Sequence, residues 1–340
     1  MLSLKINDPP SRETVHLPGG LRSELTKEGW VLGPIVKGTS LIGLGPFSAD
    51  QVQPLLEALN LRPFGSDTTL LDDPYLPARI WRPFVGEDLE GNLPTESWAS
   101  IGYHADLAGD VEYAKLARYI SVCLRATNVR LRDLSDGYRA QLLSALRDRT
   151  PIGHPFDNLP LSDIHLAIHS LVAEMGSARD YLAAVVGRQI GAPPKRSDSL
   201  ARLVEWLEKG LGRAQCENPL VVQFLHGWRD PVDPWLKQLT EYRNLFLHRG
   251  PMGARGFESA PRLAERATAL GRLRTIEIPI PRRVDSDEMV DALILFTRLH
   301  WFIFNLGAQV ARHSPYPSTL PAITSDDLVS GYLSPLISPV

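Results

Sequence analysis

The densest chemistry in this 340-residue chain lies in one short run, Glu241-Tyr242-Arg243-Asn244-Leu245-Phe246-Leu247-His248-Arg249-Gly250. It sets a guanidinium, an amide and an imidazole close together on an apolar segment that stops at a glycine. At about 100° per residue, Asn244 and His248 fall roughly 40° apart on one helix face, and Glu241 shares that strip. Arg243 starts about 140° around from His248, but its long stem can carry the guanidinium toward the histidine side. Gly250 followed by Pro251 is a stop signal, so a helix is expected from Pro234 to Arg249. A histidine at the negative end of a helix suits general acid and base work near neutrality. A guanidinium suits a phosphate on which charge develops.

The elements around this run must position it. After the turn from Pro151 to Pro160, a cap at Ser162-Asp163 opens an apolar stripe, Ile164, Ile168, Leu171, Met175, Ala178, Leu182 and Val185, at three- and four-residue steps. This predicts a long helix running to Ile190. A second helix is expected from Leu200 to Leu211, and a last one opens at Asp285 to Glu288 and runs to Arg312. Glu174 and Asp180 on the first long helix could reach the motif and orient Arg243, with Glu241 and Tyr242 as further orienting residues. His165 and His169 are spaced for metal binding, but no third ligand follows at a useful spacing, so they are read as helix-surface histidines.

An arginine with four residues before a histidine also occurs at Arg149 and His154, but Pro151 and Gly153 make that pair a turn. The second occurrence is different in context: Tyr-Arg-Asn, an apolar filling, a His-Arg-Gly ending and long helices on both sides. It resembles the signature of the HEPN superfamily, helical bundles that often act as metal-independent RNases in toxin–antitoxin and antiviral systems. The resemblance covers about residues 160–314, with Arg243, Asn244 and His248 at the matching positions. It implies a mainly α fold with a C-terminal HEPN-like four-helix bundle, and an endoribonuclease that needs no metal or other cofactor. It also implies RNA as substrate, a homodimer that pairs two motifs in one cleft, and an inhibitory or activating protein partner. The alternative it leaves open is a non-catalytic module that dimerises and binds a nucleotide or a partner protein.

Between Arg249 and Arg283 eight arginines stand against three glutamates, a local charge of +5 beside His248. Arg249, Arg255 and Arg262 are therefore candidate RNA-binding residues. The bland reading is a solvated segment with a helix from Ala260 to Leu273 and a strand from Arg274 to Ile280.

Composition sets outer bounds. A formal net charge of -3 excludes a whole-molecule electrostatic nucleic-acid binder, so any such surface is local. Cys123 and Cys216 lack metal or redox spacing and are read as reduced thiols. The start, Met1-Leu2-Ser3-Leu4-Lys5, lacks the pattern of a signal peptide, which makes the cytoplasm the expected compartment. Met289 to Leu306 is near the length of a membrane span, but Asp291, Arg298, His300 and Asn305 inside it favour a buried bundle helix and no membrane. No Walker-type glycine loop is present, and Ser-His-Asp order alone decides nothing.

The first hundred residues are rich in proline, glycine and tryptophan. Short strands are expected at Trp30 to Ile35, Ser40 to Leu44 and Arg79 to Val85, around one helix from Ala49 to Leu61. Helices are then expected from Val111 to Arg125 and from Leu134 to Arg147. The organisation is thus an N-terminal α+β region at 1–159 with a regulatory or sensing role, a helical domain at 160–314 and a proline-rich tail at 315–340.

Overall fold

The computed structural model describes residues 11–35, 43–59, 61–70, 78–83, 93–246, 260–268, 271–279 and 289–319. Within them the chain is mainly α with an N-terminal α+β region.

The N-terminal strands are β1 (Ser11–His16), β2 (Leu21–Thr26), β3 (Gly29–Pro34), β4 (Leu44–Phe47), β5 (Gly65–Leu70) and β6 (Ala78–Pro83), with helix α1 (Ala49–Ala58) between β4 and β5. They form one antiparallel sheet in the order β4-β3-β2-β1-β5-β6. The β1–β2 turn uses Gly19 and Gly20 at φ +73 and +79, and a Cβ at Gly20 would stand 2.6 Å from the carbonyl oxygen of Arg274. Glycine there lets the turn abut a strand from the far end of the chain.

Helix α2 (Pro94–Leu107) and the 37-residue α3 (Val111–Arg147) follow. The expected break in α3 between Arg125 and Leu134 is absent: Thr127, Asn128 and Leu131 are buried within one continuous helix. Helix α4 (Pro160–Gln189) starts two residues before the expected cap, with Pro160 in its first turn, where a missing N–H costs nothing. Then come α5 (Pro194–Ser197), α6 (Leu200–Glu208), a 3-10 turn (Gly210–Gln215), α7 (Pro219–Arg229) and the motif helix α8 (Trp235–Asn244). Residues 245 and 246 continue α8 in a wider, π-type turn.

The arginine-rich connection holds no helix at 260–268 or 271–273. Instead β7 (Arg262–Thr268) and β8 (Gly271–Pro279) form a hairpin, joined on its β8 side by β9 (Met289–Asp291). Alanine, arginine and leucine favour a helix locally, but pairing of Leu263 and Ala264 with the β-branched Ile276 and Thr275 on β8 overrides that preference. Because β9 takes residues 289–291, the last helix α9 (Ala292–Arg312) begins later than expected, with Asp291 as its N-cap.

One core cluster runs from Trp98 and Ile101 of α2 through α3, α4, α6, α7 and α8 to α9, and includes Ile276 and Ile278 of the hairpin. A smaller cluster joins Leu17, Leu21, Leu32, Leu56 and Leu273. The expected 159/160 boundary falls between α3 and α4, which pack along one another and feed the same core. Helix α9 has the length and hydropathy of a membrane span, yet most of it is buried inside the fold. Two polar groups are paired there: the N-cap Asp291 accepts from the Tyr138 hydroxyl at 2.6 Å, and His300 Nε2 meets Asn128 Oδ1 at 2.9 Å. The first tail residues are docked, with Tyr316 donating to Asp110 at 3.0 Å.

Candidate functional site

Helices α4 and α8 run antiparallel, and their contact builds the site. Arg179 Nη1 donates to Thr240 Oγ1 at 2.6 Å, Arg243 lies over Gly176, and Phe246 stacks on His169 with ring centroids 5.1 Å apart. Each step toward the end of α8 thus moves toward the start of α4. Tyr242 is fully buried against Phe246 and Phe296, which fixes the rotation of α8 about its axis.

Asp180 organises the charges. Its Oδ1 accepts from Arg179 Nε at 3.0 Å, Arg179 Nη2 at 2.8 Å and the backbone N–H of Leu200 at 3.1 Å. Arg179 is buried, and that burial, with the neighbouring Arg243 charge, holds its pKa below the usual arginine value against the pull of Asp180. Arg243 Nη1 is 3.7 Å from Asp180 Oδ2, an ion pair without a hydrogen bond. Among the described residues Arg243 Nε has no hydrogen-bond partner, and the side chain stays 30% exposed. Two guanidiniums therefore share one carboxylate that is already committed to the first. The surplus positive charge faces solvent at Arg243, an arrangement suited to an anion.

The imidazoles nearby are kept neutral. Burial, and then the adjacent His169, push His165 down to about 4, and burial lowers His169 as well. The expectation of surface histidines is thus corrected: both are partly buried, and His169 packs against the π-type turn of the motif helix. This proximity had no sequence signal, because the two segments are some eighty residues apart and meet only through the α4–α8 packing.

The other expected site residues divide as follows. Asn244 is exposed, and Glu241 is half-buried with no ion pair among the described residues. Tyr242 is a core anchor, fully buried against Phe246 and Phe296. Glu174 is corrected: it lies about 200° around α4 from Gly176 and faces Cys123 on α3, whose thiol is pushed up to about 12 by burial and by that carboxylate. Asp180 holds the position beside Arg243. Arg262 opens β7, half-buried, where Pro155 bridges to it. It lies beside the loop leading into α4, at the end toward which α8 runs. His248, Arg249 and Arg255 lie outside the described residues.

A Ser-His-Asp chain does exist elsewhere. His16 Nδ1 meets Ser135 Oγ at 2.7 Å and His16 Nε2 meets Asp67 Oδ2 at 2.8 Å, while Arg79 bridges Asp67 and Asp136. Burial opposes the charge on Asp67, but hydrogen bonds from His16 and Arg79 outweigh it and hold the carboxyl below its ordinary value. Ser135 is buried in the middle of α3, so this chain joins the sheet to α3 and does not present a nucleophile. Among the described residues no cluster of three or more His, Cys, Asp or Glu side chains could hold a metal. No protein-family model, curated protein or solved structure matches this chain.

Proposed function

We propose that this chain is a metal-independent endoribonuclease of HEPN type, acting in the cytoplasm as a toxin or phage-defence effector. In this reading α4, α6, α8 and α9 make up the HEPN-like four-helix bundle, and α3 extends it. The reading is supported above all by the charge arrangement at Asp180. Arg243, five residues before His248 in the sequence, is a second guanidinium beside an already satisfied Arg179–Asp180 pair, on the helix that carries Asn244. It stays 30% exposed, and among the described residues no carboxylate hydrogen-bonds to it.

The reaction is attack of a ribose 2′-hydroxyl on the adjacent phosphate, giving 2′,3′-cyclic phosphate and 5′-hydroxyl ends. His248 moves the proton, Arg243 stabilises charge on the phosphoryl oxygens, and Asn244 orients the phosphate or the imidazole. DNA lacks the nucleophile and is inert. Two copies of the motif in one cleft of a homodimer supply a base and an acid on opposite sides. The N-terminal region restrains the enzyme, senses a trigger or meets a protein partner.

The test is RNA cleavage in EDTA by the wild type, Arg243→Ala and His248→Ala. Chelator-resistant cutting by the wild type that both substitutions abolish is expected. Unchanged cutting in both variants assigns the activity to another site. No cutting by a folded wild type under any trigger leaves the non-catalytic reading, in which the Arg243–Asp180 ion pair belongs to a ligand or partner surface.

A further inference from the structure

A groove of about 380 Å³ opens between α7, the start of α8 and α9. It is separate from the motif: Trp235 on its wall and Arg243 are eight residues apart on α8, about 12 Å along the axis. Although α9 is a core helix, Trp301 and Phe302 are only half-buried and turn ring surface to the groove. Phe302 stacks on Trp235 at 5.3 Å and meets Trp301 at 5.1 Å, so the wall is continuously aromatic. The side-chain amides of Gln223, Asn305 and Gln309, together with Leu306 and a His226–Asp230 pair at 3.4 Å, line the remainder.

Two buried side-chain atoms of the lining residues lack hydrogen bonds, Asp233 Oδ1 and Trp301 Nε1. The first can only accept and the second can only donate. The Asp233 side chain is 30% exposed, so rotation of its carboxylate presents either oxygen to a ligand. A flat apolar wall with an acceptor and a donor beside it fits a planar heterocycle carrying N–H groups next to a carbonyl or ring nitrogen. Guanine has two adjacent N–H donors for a carboxylate, whereas adenine offers one amino group. The rim adds positive charge. Arg298 Nη1 is 3.6 Å from Asp233 Oδ2, and Arg62 sits 4.5 Å over the Trp301 ring with no carboxylate partner among the described residues. A neutral sugar would use the amides and carboxylate but has no use for two guanidiniums.

We propose that this groove binds a purine nucleotide, guanine preferred, with the base on the Trp301–Phe302 wall, its N–H edge on Asp233 and its phosphate near Arg298 and Arg62. The base can come from a free mononucleotide or from an unpaired position in an RNA strand. The site does not depend on the nuclease reading.

The test is titration of the full chain, followed by tryptophan fluorescence and calorimetry, with GMP, AMP, ribose 5-phosphate, glucose and a guanine-containing single-stranded oligonucleotide. GMP is expected to bind saturably, about fivefold or more tighter than AMP, and the sugars not at all. Asp233→Asn should erase the guanine preference, and Arg298→Ala should weaken GMP about tenfold without changing base preference. Both side chains are partly exposed, and thermal melting verifies that the variants fold. An oligonucleotide tighter than GMP identifies the strand as the source; the reverse order identifies the free nucleotide. Absence of saturable GMP binding, binding unaltered in both variants, or a preference for glucose overturns the proposal.

Discussion

Arg243 lies directly across Gly176: a Cβ at position 176 would stand 2.5 Å from Arg243 Cδ. The absence of a side chain on α4 is what lets the guanidinium cross the helix toward Asp180. Gly176→Ala therefore separates two effects. Removing a mid-helix glycine favours the helix by roughly 0.5–1 kcal/mol, while the new methyl group pushes a flexible arginine aside. The variant should melt at or above the wild-type temperature and lose about tenfold or more in RNA cleavage. Full activity in the alanine variant would mean that the placement of Arg243 over α4 is irrelevant to the reaction.

Tyr138 ties three distant segments together. Its hydroxyl donates to Asp291 at 2.6 Å and accepts from the backbone N–H of Ile276 at 3.0 Å, joining α3 to the start of α9 and to β8. Tyr138→Phe leaves a buried carboxylate and a buried N–H short of a partner, at a cost of about 2–4 kcal/mol. Urea unfolding of the two proteins at pH 7 measures this, and a difference under about 0.5 kcal/mol would contradict it.

What the sequence revealed, and what it hid, follows from range. The α4 stripe from Ile164 to Val185 was legible because one face repeats without interruption. The middle of α3 was not: Arg130, Arg132 and Asp133 mask Thr127, Asn128 and Leu131, whose burial depends on α9 and on the rest of the core. Helix α2 carries a weak pattern around Gly102 and Trp98, and Trp98 makes sense only through its hydrogen bond to the Gly307 carbonyl at 2.9 Å. The hairpin at 262–279 is a tertiary decision against local propensity. At the site, Arg243 and Asn244 could be singled out from type and spacing. The Arg179–Asp180–Thr240 framework and the stacking of His169 on Phe246 exist only once α4 and α8 pack antiparallel.

Two buried groups give stability opposite pH slopes. His300 is neutral in the fold, pushed by burial down to about 3, whereas an unfolded histidine titrates near 6.5. The unfolded chain binds the extra proton as pH falls below 6.5, so stability drops, on the order of 2 kcal/mol from this group by pH 5. Asp291 is the reverse. Burial pushes it up to about 6 against its hydrogen bonds, so the fold holds a proton that the unfolded chain has lost above about 4. Its contribution declines as pH rises from about 4 to 6. Unfolding free energies at pH 4.5, 5.5 and 7 for wild type, His300→Gln and Asp291→Asn separate the two. The histidine variant should lose part of the acid sensitivity, and the asparagine variant should gain on the wild type as pH rises through that window. Parallel curves for all three proteins would refute the assignment.

The most direct measurement is on the RNA itself. An oligonucleotide cut by the wild type in EDTA is resynthesised with one 2′-deoxynucleotide on the 5′ side of the cleaved bond, and the ends of the products are identified by mass spectrometry. The account predicts 2′,3′-cyclic phosphate and 5′-hydroxyl ends, and loss of cutting at the deoxy position with other sites unaffected. Cleavage that persists at that position, or 5′-phosphate ends, would contradict attack by the ribose hydroxyl and with it the roles given to Arg243 and His248.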